Sequence, residues 1–310
     1  MTTVTQTIPV VDLTHLQGSG PEHEQAVKVL GDALREVGFF ALTGHGVSDE
    51  LVEQIYGLAQ RFFELPEEQK KAYERPELKG QRGFTSFGRE HAKDSPAADL
   101  KEYISFGPVG DVPYPDNIWF DEVPELKDEV LGLFDRLQTC ARETLLACGE
   151  YLDLPRETFA GMIEQGESLL RILHYPPVPE DRDVASVRSA AHEDINFITL
   201  LVGATAEGLQ LLDRQGEWQP IRAIPGHIII DSGDMLQHLT NGFFTSTTHR
   251  VTNPDDDRAR RFSMPCFIHP RPEVDLTPLP ACVERTGGEA KFESINAGDF
   301  LRQRLEELGL

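Results

Sequence analysis

The sequence predicts a mainly β fold with α decoration, in which a helical N-terminal part wraps a β-sandwich or barrel. Three observations predict it. From Leu169 to about Ile268, short apolar runs alternate with turn residues, the mark of repeated short strands. Before that point, apolar residues recur at helical spacing over long stretches. And the chain, 310 residues long, carries no internal repeat, low-complexity tract or linker. It reads as a single domain spanning 1–310: a helix-rich part over about 1–168, a β core over about 169–270, and a closing helix over about 297–308.

The elements follow in order. Thr7–Leu13 reads as a short strand. From Pro21 to Val37 the residues Ala26, Val27, Leu30, Ala33, Leu34 and Val37 share a helical face, and Gly38 stops that helix. Phe39–Leu42 reads as a buried strand. Ser48 is placed to cap a helix running to about Phe63, and Pro66 opens another short one. Pro76–Ala98, rich in Gly, Pro and charge, reads as a long surface loop. A long helix is expected from Pro124 to about Tyr151, with Leu131, Phe134, Leu137, Leu145 and Leu146 in its apolar positions. The core strands are expected at Leu169–Tyr175, Phe197–Val202, Leu209–Leu212, His227–Ile230 and Phe262–Ile268, with a turn at Asn241-Gly242.

Composition removes several function classes. The chain has 52 acidic against 29 basic residues, a formal charge of −23, which repels a phosphate backbone and disfavours nucleic-acid binding. No stretch approaches the apolar length of a membrane helix, and Met1–Gln6 starts no secretion signal. Cys140, Cys148, Cys266 and Cys282 form no C-x-x-C pair, so reduced thiols in a cytoplasmic protein are expected rather than disulfides or a zinc–thiolate site.

The chemistry concentrates in Ala190–Leu201, AAHEDINFITLL. His192 and Asp194 are two residues apart, so on a strand they share a face and can reach one metal ion. His249, in STTHRV, is the best third candidate. Two imidazoles and one carboxylate on one face of an octahedron form the facial triad of non-haem Fe(II) oxygenases. Arg261 and Ser263 are another same-face pair. A guanidinium beside a hydroxyl suits a carboxylate clamp, with an ordinary ion pair as the alternative.

Around these residues the chain resembles the isopenicillin N synthase-like branch of the Fe(II)/2-oxoglutarate-dependent oxygenases over nearly its whole length. The resemblance rests on Ile8-Pro9-Val10-Val11-Asp12-Leu13, on Gly38-Phe39-Phe40 with His45-Gly46-Val47, and on Asp99-Leu100-Lys101-Glu102. It continues through Gly208-Leu209-Gln210 with Trp218, Gly233-Asp234-Met235-Leu236, Thr240-Asn241-Gly242 and Thr248-His249-Arg250-Val251. It implies a distorted jelly roll, or double-stranded β-helix, with helices outside. It implies Fe(II) on His192, Asp194 and His249, 2-oxoglutarate held by Arg261, Ser263 and Tyr175, O2 as oxidant, and ascorbate as a candidate activator. A small organic substrate would be hydroxylated or otherwise oxidised with release of succinate and CO2, no catalytic residue being required beyond the metal centre. Two departures stand out: Leu173 where many relatives carry Asn, and Asp231-Ser232 in place of Asn and an apolar residue.

Other readings stay open on the sequence. An oxidase of the same branch that needs no 2-oxoglutarate would use the Arg-x-Ser pair on a substrate carboxylate. A metal or small-acid sensor on the same scaffold would bind without turnover, and a zinc hydrolase finds no supporting motif. The substrate pocket is expected to draw on Arg82, Phe84, Arg171, Asn196, Phe197 and Phe300, with Arg82 or Arg171 anchoring an acidic group. His45, His174, His227, His238 and His269 read as structural, and His15, His23 and His91 as surface residues. Gly233 and Asp234 read as turn formers.

Overall fold

The computed structural model describes residues 8–89, 99–110, 112–178, 187–203, 208–221, 224–253 and 258–307. The helices are α1 (Leu13–Leu16), α2 (Pro21–Glu36), α3 (Asp49–Phe63), α4 (Glu67–Lys71), α5 (Leu126–Tyr151), α6 (Glu157–Ile163), α7 (Asp234–Leu239), α8 (Pro280–Arg285) and α9 (Ala297–Glu307). The strands are β1 (Val10–Asp12), β2 (Phe39–Thr43), β3 (Gly83–Thr85), β4 (Glu102–Phe106), β5 (Leu169–Tyr175), β6 (Ser189–His192), β7 (Ile198–Val202), β8 (Leu209–Leu212), β9 (Trp218–Pro220), β10 (Ile228–Ser232), β11 (His249–Val251) and β12 (Arg261–Ile268). They form two sheets, one ordered β1-β2-β10-β7-β12-β5-β4-β3 and the other β6-β11-β8-β9.

Strand periodicity decides what each face of the large sheet meets. On β12, Phe262, Met264, Cys266 and Ile268 join the main apolar cluster with Leu133 and Leu137 of α5, while Arg261, Ser263, Pro265 and Phe267 line a cavity on the other face. On β5, Leu170 and Ile172 face the helices, and Leu169, Arg171, Leu173 and Tyr175 face the cavity. A period of two thus sends one residue set to the helical layer and the next to the interior. The small sheet closes the cavity from the opposite side. Phe39 and Ile229 of the large sheet pack there with Leu209, Leu211 and Val251 of the small one. The result is a jelly-roll core with helices outside.

Local signals behave as their chemistry dictates. Ser48 caps α3, its side chain accepting the Leu51 N–H at 3.2 Å. Asn241 and Gly242 both hold positive φ, 55° and 76°, as their turn requires. Some expectations need correction. The first strand is shorter than Thr7–Leu13, because Asp12 accepts the Thr14 N–H at 2.8 Å and caps α1 directly after it. The loop expected over Pro76–Ala98 contains β3, which pairs with β4; 90–98, including His91, lie outside the described residues. α6, β9 and α8 are further elements that the periodicity did not give, and β4 was missed because Lys101, Glu102 and their neighbours disguise a buried strand as a charged one. Gly233 ends an extended stretch and Asp234 opens α7, so the pair starts a helix rather than a plain turn.

Candidate metal centre

His192 is the last residue of β6 and His249 the first of β11, and the two stand directly opposite in an antiparallel ladder. Their ring centroids are 4.4 Å apart. Asp194 lies beyond the end of β6, in the bend leading to β7. Its convergence therefore comes from that bend, not from the shared strand face that the His-x-Asp spacing suggests. Asp194 Oδ1 is 3.6 Å from His192 Nε2 and 3.7 Å from His249 Nε2. One ligand atom from each of the three residues lies within 4.8 Å of the others, and among the described residues this is the one such cluster.

The surroundings orient all three side chains. Each imidazole meets the carbonyl two residues before it, His192 Nδ1 to Ala190 O at 2.7 Å and His249 Nδ1 to Thr247 O at 3.1 Å. A carbonyl can only accept, so Nδ1 carries the proton and Nε2 presents its lone pair to the centre. The Thr199 hydroxyl donates to Asp194 Oδ2, leaving Oδ1 for an ion. The bend is pinned as well: Asp194 O accepts the Asp234 N–H at 2.7 Å, and Phe197 O accepts the Gly233 N–H at 2.9 Å. This close approach needs glycine, since a Cβ at Gly233 would sit 2.3 Å from Asn196 O and 2.8 Å from Asp194 O.

Burial favours the neutral imidazole at His249, whose pKa is pushed down by desolvation and then by the neighbouring His192. Asp231 also lines the cavity. Burial first, and the negative Asp194 second, raise its carboxyl well above the usual range. Two neutral imidazoles and one carboxylate fit a divalent cation of intermediate hardness, with coordination positions left over for other ligands. Nothing in the donor set resembles the thiolate-rich environment of a structural zinc site.

A cavity of about 400 Å³ holds this cluster together with Arg261, Ser263 and Tyr175. Arg261 Nη1 donates to Ser263 Oγ at 3.0 Å. Across the ladder Arg261 pairs with Tyr175, and Ser263 pairs with Leu173. The guanidinium carbon is 4.9 Å from the Tyr175 ring centroid, and all three polar side chains are buried. Leu173, at the departure noted above, thus contributes an apolar wall beside the Ser263 hydroxyl.

The substrate residues expected from sequence separate into two groups. Arg171 lines the cavity, its guanidinium carbon 4.0 Å from the Tyr103 ring centroid and 5.5 Å from that of Phe267. Asn196 also reaches the wall, but its amide is engaged, donating to Ile198 O at 2.9 Å and Thr199 Oγ1 at 3.1 Å. The other four are corrections, since none of them lines this cavity. Arg82 is fully buried elsewhere, donating to Pro115 O and Gln81 O at 3.1 and 2.7 Å and lying 3.8 Å from Glu167. Phe84 packs on Phe62 and Phe197 on Phe159, both in the helical layer. Phe300 meets the His238 ring; one position further round the helix, Leu301 faces the cavity, and Arg304 does so a turn on.

Among the other histidines, His45, His174 and His238 bond Gly226 O, Glu102 and Glu293 O. His23 is half-buried and paired with Glu150 at 2.7 Å, not simply at the surface. His269 lines the cavity, and burial pushes its pKa down to about 4. Sequence reasoning passed over Thr199, Asp99, Lys101 and Arg304 as cavity residues. A signal existed for Thr199: it alternates with apolar Ile198 and Leu200, so its strand face was legible.

Comparison with known proteins finds similarity in both sequence and fold. Residues 8–122 match the N-terminal family described as non-haem dioxygenase in morphine synthesis, and residues 166–270 match the 2OG-Fe(II) oxygenase superfamily. A homoarginine-6-hydroxylase from Oryza sativa subsp. japonica is 31% identical over 96% of both chains. A proline hydroxylase from Petromyces alliaceus is 33% identical over 95% of this chain and 97% of its own. Among solved structures, a Caulobacter crescentus protein assigned to the 2OG-Fe(II) oxygenase family superposes with a TM-score of 0.84 at 36% identity, covering 98% of this chain and 99% of the other. Neurospora crassa T7H, in complex with alpha-KG and thymine, does so with a TM-score of 0.86 at 26% identity, over 96% of each chain.

Proposed function

The chain belongs to the 2OG-Fe(II) oxygenase superfamily, and on that premise we propose that His192, Asp194 and His249 hold Fe(II) while Arg261, Ser263 and Tyr175 hold the far carboxylate of 2-oxoglutarate. The protein is an Fe(II)- and 2-oxoglutarate-dependent dioxygenase, an oxidoreductase with a double-stranded β-helix core that consumes O2 and gives succinate and CO2. The observation that carries the residue assignment is one cavity containing both the three-ligand cluster and the Arg261–Ser263 pair.

Bound at the cluster, Fe(II) supplies the coordination sites where co-substrate and O2 react. The side chains divide the remaining work. The Ala190 and Thr247 carbonyls fix the two imidazoles in the tautomer that presents Nε2. Thr199 fixes the carboxylate rotamer. Arg261 offers a planar fork to a carboxylate, and Ser263 adds a hydroxyl beside it. The apolar wall at Leu173 and Pro265 keeps that end dry, which strengthens the charge-assisted contacts.

The substrate is a small organic molecule. Arg171, which lines the cavity and also donates to Ser105 Oγ at 3.3 Å and Gly80 O at 3.4 Å, supports a reading in which the substrate carries an acidic group. The amino acids and pyrimidine in the names of the relatives above are compatible with a cavity of about 400 Å³. Four buried cysteines without disulfides support a cytoplasmic location, and the acidic surface argues against nucleic acid as a partner.

The test follows CO2 release from carboxyl-labelled 2-oxoglutarate with Fe(II) and ascorbate, with succinate and O2 uptake measured across amino acids, cyclic imino acids and pyrimidines. Stoichiometric succinate with one substrate is the expected result. Oxidation of that substrate by O2 without 2-oxoglutarate, together with no 2-oxoglutarate binding to the anaerobic Fe(II) protein, would overturn the assignment of the Arg261 clamp.

A further inference from the structure

Asp99 is buried beside β4 and lines the same cavity, but its carboxylate is turned into the protein framework. Oδ1 accepts the Ala190 N–H at 3.1 Å. Oδ2 is 2.8 Å from Lys101 Nζ, and Lys101 is itself buried. The other side of the same residue, the Ala190 carbonyl, takes the Nδ1 proton of His192 at 2.7 Å. A neighbouring contact ties the same two segments, the Leu100 N–H donating to Val187 O at 3.0 Å. A continuous path of polar contacts therefore runs from Lys101 through Asp99 and Ala190 to the imidazole.

We infer that Asp99 is a positioning residue for His192, holding the end of β6 so that Nε2 points at the metal. The inference rests on the reading of His192 as an iron ligand. Its physical basis is that β6 is short and that its partner in the small sheet shifts register between His249 and Val251. The ladder alone therefore specifies the Ala190 peptide weakly, and a charge-assisted acceptor on the Ala190 N–H supplies the missing constraint. Lys101 neutralises the carboxylate and fixes its rotamer, so that one oxygen remains aimed at Ala190. Partners of ligating histidines commonly change metal affinity by about ten- to a hundredfold. Asp99 acts one peptide further away, so roughly three- to tenfold is expected.

The experiment compares two double variants of equal charge, Asp99→Asn/Lys101→Met and Asp99→Ala/Lys101→Met, in anaerobic titrations with Co(II). Their difference isolates the acceptor, because the Asn amide oxygen still reaches the Ala190 N–H and the Ala methyl does not. The Asn variant is expected within about twofold of the parent Lys101→Met protein, with the same Co(II) absorption bands. The Ala variant is expected to bind roughly three- to tenfold more weakly, with displaced bands and faster amide exchange at Ala190. Equal affinities and identical bands in the two variants overturn the inference, as does a loss confined to the KM of the organic substrate. Should the Ala variant fail to fold, Asp99→Ser/Lys101→Met, too short to reach Ala190, takes its place. His192→Ala is measured in parallel: unchanged Co(II) binding there would overturn the ligand reading itself, which separates the two failures.

Discussion

Each residue of the cluster has a distinct job, and substitution should separate them. Asp194 brings the only carboxylate among the three proposed ligands and is 7% exposed, so a methyl group cannot replace it. Asp194→Ala is expected to abolish most Fe(II) binding by equilibrium titration; wild-type affinity would refute the site. Thr199→Val keeps the shape but removes the donor to Asp194, and metal affinity should fall by roughly ten- to a hundredfold. Arg261 is the residue proposed to serve the co-substrate instead. A charge-assisted contact is worth about 1.5–3 kcal/mol, so Arg261→Ala should raise the KM for 2-oxoglutarate roughly ten- to a hundredfold. Fe(II) affinity should stay near wild type, and Arg261→Lys should recover only part, since an ammonium lacks the planar fork. A parallel loss of iron in Arg261→Ala would mean the two subsites are not separable.

At the scale of elements, the bend between β6 and β7 does what neither strand does alone. It carries Asp194 back toward two histidines held by the small sheet, and the start of α7 locks it there through the Asp234 N–H. Gly233 is the tightest point of this junction. Gly233→Ala should therefore lower the melting temperature and weaken Fe(II) together, because the displaced atoms belong to Asn196 and Asp194. A stability loss with metal affinity intact would show that the bend moves without dragging the carboxylate. Helix α9 joins the same junction through Arg304, 2.9 Å from Asp234 Oδ2. Its Leu301 and Arg304 form part of the cavity wall, so the end of the chain contributes to the pocket built by the core.

Across the whole molecule, buried ionisable groups shape the response to acid. His269 has a folded pKa of about 4 against 6.5 in the unfolded chain. Between those values only the unfolded state binds the proton, so stability is lost as pH falls from 6.5 toward 4 and falls no further below that. The shift corresponds to at most about 3–4 kcal/mol. His174 and His249, both depressed by burial, act in the same direction, while Asp231 and Asp234, both raised by burial, oppose it. Replacing His269 by Gln should flatten the melting temperature of the metal-free protein over this window relative to wild type. An identical pH profile would mean that His269 is solvated or paired in solution.

Local periodicity made much of this molecule legible before any coordinates. The spacing of Ala26, Leu30 and Leu34 gave a helix, Phe262 to Ile268 gave a strand, and the His-x-Asp and Arg-x-Ser pairs gave the chemistry, because each pattern lies within a few residues of chain. Tyr175, named by resemblance as a support for the 2-oxoglutarate carboxylate, lies opposite Arg261 in the ladder and on the cavity wall. Sequence reasoning misjudged Phe84, Phe197 and Phe300, because an aromatic side chain suits a helical layer as well as a pocket, and only the facing of its element decides between them. It could not find Asp99 as a support, since a carboxylate on a backbone N–H far along the chain leaves no periodic trace; Thr199 was legible as a polar residue on a strand, but not its bond to Asp194. Sequence by itself therefore determined the longer helices, most of the core strands with their buried faces, and the types of the candidate ligands. Tertiary structure decided which of those faces meet: His192 against His249 across a ladder, Asp194 turned in by a bend, and Arg171 rather than Arg82 at the cavity. The physical reason is that strand pairing and loop closure join residues distant in sequence, and local propensity carries no information about that partner.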